Sequence, residues 1–170
     1  VETQNQVTTI TLNRPDVRNA FNDAVVLELQ QAFEGLGDDT RVVILTGEGK
    51  SFCAGADLNW MKKSATYTQE QNAADAGEMA GLFRAINECP KPVIGRVNGA
   101  ALGGGVGLIS CCDIVVAVER AKFGFTEVKL GLIPAVISPF VLGKLAQTHA
   151  RRYFMTGEIF DALQAEKMGL

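Results

Sequence analysis

The feature that most restricts the fold is a cluster of glycines between a predicted strand and a predicted helix, in GAALGGGVGLISCCD (99–113). A glycine inside a helix costs about 1 kcal/mol relative to alanine, so a cluster of them needs a physical reason. Glycine lets two backbones approach closely. The first N–H groups of a helix also lack internal partners and favour negative charge. The cluster therefore predicts either close packing alone or backbone amides that face a ligand anion.

Two familiar phosphate-binding motifs do not fit this cluster. A dinucleotide-binding GxGxxG motif would need glycine at position 108 or 110, where Leu108 and Ser110 stand. A P-loop needs Gly-Lys-Ser/Thr at the helix start, and none follows the cluster. The anion that the cluster would bind is therefore not expected to be a nucleotide phosphate. A developing oxyanion is a suitable alternative, because an amide directed at it stabilises a transition state by roughly 3–4 kcal/mol.

Strands and helices alternate along the rest of the chain, which predicts an α/β fold in one domain, residues 1–170. Apolar alternation or β-branched runs predict strands at 7–12, 41–46, 93–97 and 114–118. A helix is expected to begin at Asn22 or Asp23 and to end at Gly35 or Gly37. A short helix is predicted to start at LNWMKK, and a longer one to cover TQEQNAADAGEMAGLFRAINE until the prolines of CPKP end it. Helices are also predicted from the glycine cluster through Cys112, after IPAVISPFV, and in FDALQAEKMGL. GEGKSFCAGAD (47–57) is predicted to be a loop, and AKFGFTEVKLGL (121–132) a loop or short strand.

Composition excludes several classes of function. The formal net charge of −3 gives no electrostatic footprint for nucleic acid. No apolar run has the length of a membrane span. One histidine and four cysteines without CxxC spacing provide few metal ligands, and Cys111 and Cys112 are expected to pack as small hydrophobic residues. Cys53 is expected to pack likewise, and His149 has no serine elbow with which to form a nucleophilic triad.

Two further segments complete a candidate site. The glycine turn in SFCAGAD (51–57) is the expected source of a second amide donor. Glu127 lies between the apolar residues Phe125 and Val128. Burial there would raise its pKa towards neutrality, as a general acid or base requires.

The motifs NRPDVRNAF, VVILTGEGKSFCAGADL, KPVIGRVNGAALGGGVGL and AKFGFTEVKLGLIP, in this order and spacing, closely resemble the crotonase (enoyl-CoA hydratase/isomerase) superfamily. The resemblance implies a spiral of ββα units that binds acyl-CoA, with two backbone N–H groups on the thioester oxygen. Those donors match Ala56 and Gly104, and the catalytic glutamate matches Glu127. The positions that match the contacts to coenzyme A are Arg18, Ala20, Ala54, Ala56, Asp57, Leu58 and Asn59. No metal or redox cofactor is implied.

Gly107 departs from the pattern of the superfamily, whose hydratases carry a second glutamate at this position. Three interpretations remain open: a catalytically silent acyl-CoA-binding scaffold, a Δ3,Δ2-enoyl-CoA isomerase with one base, or a hydratase with a single glutamate. We expect Gly107 to leave empty space beside the thioester, as a substrate branched at C3 would need. TEVKLGLIPAVISPFVLGKL and ARRYFMTGEIFDA resemble bacterial 3-methylglutaconyl-CoA hydratases, which act in the breakdown of leucine or acyclic terpenes.

The resemblance also implies an oligomeric state and a cellular compartment for the protein. Members of the superfamily continue with a C-terminal helical region that helps to form trimers or dimers of trimers, and this chain is expected to stop before that region. A homotrimer or dimer of trimers is therefore predicted for the whole protein. The predicted location is the cytoplasm of a bacterium, or the mitochondrial matrix if the source is eukaryotic.

Overall fold

The computed structural model describes residues 1–170 and contains nine strands and seven helices. The strands are β1 (Glu2–Gln4), β2 (Val7–Leu12), β3 (Val42–Gly47), β4 (Ser51–Cys53), β5 (Val93–Val97), β6 (Ala100–Leu102), β7 (Ile114–Ala117), β8 (Lys122–Gly124) and β9 (Phe160–Asp161). The helices are α1 (Asp23–Glu34), α2 (Leu58–Ser64), α3 (Gln69–Asn87), α4 (Gly104–Ser110), α5 (Ser138–Lys144), α6 (Gln147–Thr156) and α7 (Ala162–Met168). Short 3-10 turns cover Pro15–Val17 and Glu127–Leu130.

The larger sheet has five strands in the order β1-β2-β3-β5-β7, in which only β1 runs antiparallel to its neighbour. Its four parallel strands are those that the apolar alternation predicts, and the prediction is confirmed. Val43 and Leu45 are fully buried on one face of β3, where they join the core. This sheet forms one wall of the fold.

The smaller sheet has the order β4-β6-β8-β9, and its first three strands are parallel. Strands β4, β6 and β8 contain three residues each, which is too short for an alternating pattern to be visible in the sequence. The prediction that 47–57 is only a loop is therefore wrong, because it contains β4. The glycine cluster likewise contains β6, and its helix ends at Ser110 rather than at Cys112.

Local sequence signals account for the helix ends. The Asn22 side chain accepts a hydrogen bond from the Val25 N–H and caps α1, which stops at Gly35, as predicted. Thr68 and Gln71 form a capping box at the start of α3. Helix α4 is surrounded by the rest of the chain, with residues 105–110 all buried. Its amino end, at the carboxyl end of β6, is thereby fixed in place.

The fold contains neither a helix that could cross a membrane nor a cluster of potential metal ligands. No helix has both the length and the apolar composition required to cross a membrane. No three histidine, cysteine, aspartate or glutamate side chains lie close enough together to hold a metal ion.

Candidate active site

Three predicted site residues follow three neighbouring strands of the smaller sheet. Ala56 follows β4, Gly104 follows β6, and Glu127 follows β8, each within three residues of the strand end. Strands β4, β6 and β8 are parallel neighbours, so their carboxyl ends lie at the same edge. This edge is where ligands bind in open parallel sheets. The topology therefore gathers residues from 51–130 into one site.

The backbone N–H groups of Ala56 and Gly104 donate no hydrogen bond within the chain. On either side of Ala56, the Phe21 N–H donates to the Gly55 carbonyl and the Asp57 N–H donates to the Phe21 carbonyl, each at 2.9 Å. These two bonds hold the turn while leaving the Ala56 amide available. A methyl group built on Gly55 would lie 3.4 Å from the Gly104 nitrogen, so the two turns are in contact. Both amides are free to bind an external anion.

Gly104 has no room for a side chain. A methyl group built there would lie 2.4 Å from Cζ of Phe21 and 2.8 Å from its Cε1. Phe21 is itself buried, so its ring cannot easily move away. Glycine at this position allows the helix start to lie against the ring.

Glu127 lies beside this glycine turn. Its Oε1 would be 3.2 Å from a methyl group built on Gly103, the residue that precedes the Gly104 donor. Its Oε2 is buried and has no hydrogen-bond partner. Burial raises the pKa of the Glu127 carboxyl above its ordinary value, as a group that exchanges protons near neutrality requires. The expected elevation of its pKa is confirmed.

A cavity of about 740 Å³ opens over these groups. The predicted positions that line it are Arg18, Ala20, Ala54, Ala56, Asp57, Leu58, Asn59, Gly104 and Glu127. Arg18 and Asn59 are exposed at its surface, whereas Ala20 is buried. The one predicted position that does not line the cavity is Gly107.

The expectation of empty space at Gly107 is wrong. A methyl group built on Gly107 would lie 2.4 Å from Cγ2 of Ile137 and 3.0 Å from Cε1 of Phe83. Ile137, not Gly107, faces the cavity at this point. Gly107 therefore serves close packing between α4 and its neighbours, and the acyl group gains no room from it.

Replacing Gly107 with alanine is expected to destabilise the protein by about 1–3 kcal/mol, because overpacking outweighs the better helix propensity of alanine. Urea unfolding would measure the change in the free energy of unfolding. Gly77, inside α3, is the matched control, since a methyl group there meets nothing within 4 Å. Gly77→Ala should stabilise the protein by about 1 kcal/mol. A stabilising Gly107→Ala would show that the packing around α4 is looser than described.

The Asp57 carboxylate is occupied by the chain itself. It caps α2 by accepting from the Asn59 N–H at 2.8 Å, and it pairs with Arg14 at 3.1 Å. Arg14 also donates to the Ala20 carbonyl, so the pair ties the 14–20 segment to the Ala56 turn. The hydrogen bond from Asn59 lowers the pKa of Asp57, and Arg14 adds to this against the opposing effect of burial. These bonds hold the turn that carries the neighbouring residue Ala56.

The charge of Asp57 is expected to add up to about 1 kcal/mol of stability at neutral pH. Because the folded-state pKa is depressed, this contribution is full above the unfolded value of about 3.9 and is lost as pH falls through the folded value. Asp57→Asn keeps the capping oxygen and removes the charge. Unfolding free energies should differ between wild type and variant at neutral pH and converge in acid. An equal difference at both pH values would contradict the charge-based account, and Asp38→Asn, on an exposed residue, serves as the control.

The other candidate nucleophiles do not take part in this site. Burial raises the pKa of the Cys53 thiol to about 12, so it is not a thiolate at neutral pH. Its sulfur instead accepts from the Gly55 N–H at 3.4 Å. His149 does not line the cavity. Arg152, also outside the cavity, is exposed and pairs with Glu158 at 2.7 Å.

The cavity residues that were not predicted include Phe21, Trp60 and Asp75. The sequence around Phe21 matches the superfamily pattern, but nothing in it shows that the ring lies against Gly104. Trp60 is the only tryptophan of the chain, and it follows the predicted contacts to coenzyme A directly. Asp75 lies on the polar-looking helix α3 and reads as an ordinary surface residue. Only the structure, in which α2 and α3 both line the cavity, identifies Trp60 and Asp75 as cavity residues.

Known proteins with similar sequences and the same fold identify the family. A sequence model described as enoyl-CoA hydratase/isomerase matches residues 2–170. A crotonyl-CoA hydratase from Syntrophomonas wolfei is 38% identical over all of this chain and 66% of its own length. A 2,3-dehydroadipyl-CoA hydratase from Escherichia coli is 37% identical with the same coverage of both chains. The crystal structure of an enoyl-CoA hydratase from Shewanella pealeana superposes with a TM-score of 0.96 at 46% identity, over 99% of this chain and 64% of that one.

The chain spans between 53% and 66% of the length of such curated relatives. Within that span the match is continuous, and the α/β fold is the one that the motifs predict. The chain belongs to the enoyl-CoA hydratase/isomerase family of the crotonase superfamily.

Proposed function

We propose that the protein is an enoyl-CoA hydratase, which adds water across the double bond of a 2-enoyl-CoA thioester or removes it in reverse. The observation that carries the proposal is the meeting of two unpaired amides and one half-buried carboxyl, whose Oε2 is buried without a partner, at the ends of β4, β6 and β8. Paired donors suit a carbonyl oxygen that becomes negative. A single carboxyl with a raised pKa suits a proton transfer.

In the proposed mechanism the thioester carbonyl lies between the N–H groups of Ala56 and Gly104. Glu127 accepts a proton from water, and the resulting hydroxide bonds to C3 of the enoyl group. The electron pair of the double bond moves to the carbonyl oxygen, where the two amides stabilise the enolate. Glu127 then returns the proton to C2, so the net change is the addition of one water. No step passes through a metal or a redox group.

The positions predicted for coenzyme A surround this centre. Arg18 and Ala20 line the cavity from one segment, and Ala54, Asp57, Leu58 and Asn59 line it from the turn into α2. Backbone hydrogen bonds join the two segments, and we infer that the pantetheine arm runs along the surface that they form together. The Arg14–Asp57 pair adds a side-chain link between the same two segments.

The test is to incubate the protein with crotonyl-CoA and to follow the loss of absorbance of the conjugated thioester. Identification of 3-hydroxybutyryl-CoA as the product would support the proposal. A parallel incubation with a 3-enoyl-CoA tests the isomerase, which would move the double bond without adding water. Binding of both thioesters without turnover would contradict the proposal and identify the silent scaffold.

The finer prediction, a 3-branched acyl group of the glutaconyl type, remains a prediction of the resemblance. Two features weigh against it. The space expected at Gly107 is filled by Ile137. The cationic side chains that line the cavity are Arg18 and Lys62, both exposed, and the α2–α3 wall also carries the anionic Asp75. A kcat/KM for 3-methylglutaconyl-CoA well above that for crotonyl-CoA would establish the branched, carboxylated substrate.

Assembly and compartment are likewise proposals. We infer a homotrimer or dimer of trimers for the whole protein, from the superfamily resemblance. Light scattering coupled to size-exclusion chromatography would give the subunit number directly, and a monomer would refute the inference. A cytoplasmic or mitochondrial location and a role in fatty acid or leucine breakdown rest on the same resemblance.

A further inference from the structure

The α2–α3 wall of the cavity carries a polar pair that the proposed hydration does not use. Trp60, on α2, is 8% exposed, and its ring Nε1 is buried without a hydrogen-bond partner. Asp75, on α3, is half-buried, and both residues line the cavity. A buried N–H group that lacks a partner destabilises the folded state, so its position calls for an explanation.

The two groups are close enough to influence each other, but no hydrogen bond joins them. Burial raises the pKa of Asp75, and the carboxylates of Glu78 and Asp23 add to this, whereas the Trp60 ring N–H and Lys63 lower it. The net effect is a raised pKa for Asp75. The Trp60 ring N–H is therefore an unpaired donor near a carboxylate acceptor.

Aromatic rings connect this pair to the reacting centre. Phe21 lies against Gly104, and its ring meets the Trp60 ring edge-on with centroids 6.3 Å apart. Met79, one helical turn after Asp75, also lines the cavity. An acyl chain that starts at the amide of Gly104 and follows this apolar wall passes the Phe21 ring before it reaches the pair.

We propose that Trp60 and Asp75 form a subsite for a hydroxyl group on the acyl chain, several carbons beyond the double bond. The proposal rests on the proposed hydratase function, since it concerns the acyl group of the same substrate. A hydroxyl fits because it accepts from the indole N–H and donates to the carboxylate at once. An ammonium group has no lone pair for the indole, and a carboxylate would place a second anion beside Asp75. A purely apolar chain would leave the indole N–H unpaired.

The fluorescence of Trp60 can report on this subsite, because Trp60 is the only tryptophan of the protein. The emission of an indole depends on the hydrogen bonding and polarity at its ring nitrogen. Saturated acyl-CoA thioesters have no double bond to hydrate, so they bind without reacting. In a series of these ligands, the hydroxyl group is placed one carbon further along the acyl chain each time. Each ligand is compared with one that carries a methyl group at the same carbon. One hydroxyl position should shift Trp60 emission and bind about 5- to 10-fold more tightly than its methyl partner.

Substitutions at Asp75 and at Trp60 test the contributions of the carboxylate and the indole N–H separately. Asp75→Asn and Asp75→Leu should remove most of the hydroxyl preference while leaving the affinity for butyryl-CoA within about twofold, because that short chain ends before the pair. Trp60→Phe keeps an aromatic ring, removes the N–H, and should reduce the preference similarly. Glu78→Gln is the matched control on α3, since Glu78 is exposed and does not line the cavity. It should keep the preference.

The outcomes separate this inference from the proposed function. Absence of a preferred hydroxyl position, or a preference that survives both Asp75→Leu and Trp60→Phe, would overturn the subsite even if crotonyl-CoA is hydrated. A preference for a carboxylated chain that Asp75→Asn strengthens would overturn it as well. Conversely, failure to hydrate any enoyl-CoA would refute the hydratase, whereas the binding series would still report on the subsite.

Discussion

Glu127→Gln is expected to lower the turnover of crotonyl-CoA by at least about a hundredfold while acyl-CoA binding persists. Glutamine has the same shape but cannot take a proton from water, and the carboxylate of Asp57, the residue after Ala56, is already bound by Asn59 and Arg14. Stopped turnover with an unchanged Kd for butyryl-CoA would separate proton transfer from binding. Near-normal turnover would refute the role of Glu127. Glu119→Gln, which changes an exposed residue outside the cavity, is the control for the loss of one negative charge.

The same variant should be at least as stable as the wild type at neutral pH. Burial raises the folded-state pKa of Glu127, so its ionisation opposes folding at high pH and this cost vanishes below the unfolded-state pKa. Glutamine removes that cost. For the same reason the turnover of the wild type should fall as pH drops through a value above that of an ordinary glutamate. A pH profile with its acid limb at or below about 4.3, the reference value, would contradict the raised pKa.

Gly104→Ala is expected to reduce kcat by about 100- to 1000-fold, the range found when one oxyanion donor is lost. The new methyl group would lie 2.4 Å from the Phe21 ring, so the start of α4 must shift and its amide must leave the position beside the Ala56 turn. The change in KM should be smaller than the change in kcat, because the amide matters most when the oxygen carries charge.

A paired variant tests whether steric displacement is the cause. Phe21→Leu added to Gly104→Ala creates room where the methyl group meets the ring, and it should restore part of the lost kcat and of the lost stability. Restored stability without restored kcat would mean that the amide does not stabilise the reacting oxygen. Gly77→Ala, in open space on α3, should leave kcat unchanged.

Much of the larger sheet could be predicted from the sequence, because its strands are long enough to show which face is buried. Val7–Leu12 and Val93–Val97 alternate or cluster apolar residues in the manner of half-buried strands. Helix ends were predictable where a capping side chain or a proline is present, as at Asn22 and after Asn87. These signals depend only on neighbouring residues, so a single sequence is enough to show them.

Most of the smaller sheet could not be predicted, although it organises the site; only β8 falls in a segment, 121–132, for which a short strand was one of the predicted alternatives. Its parallel strands of three residues are defined by their partners rather than by any pattern of their own. The predicted donors and acid rest on motif resemblance, which locates positions but not what fills the space around them. Gly107 shows the difference: a missing glutamate suggested an opening, but only the packing reveals that Ile137 occupies it. The Trp60–Asp75 pair depends on how two helices meet, which no short segment encodes.

The placement of the donors and the acid on consecutive strands also sets the order in which the site arises during synthesis. Both amides are synthesised before β8, and the carboxyl follows the last of the three parallel strands. In the proposed enzyme, the stretch of the gene that encodes thioester binding is therefore separate from the stretch that encodes the acid. A substitution confined to the turn after β8 would change or remove that acid while both amides stay in place.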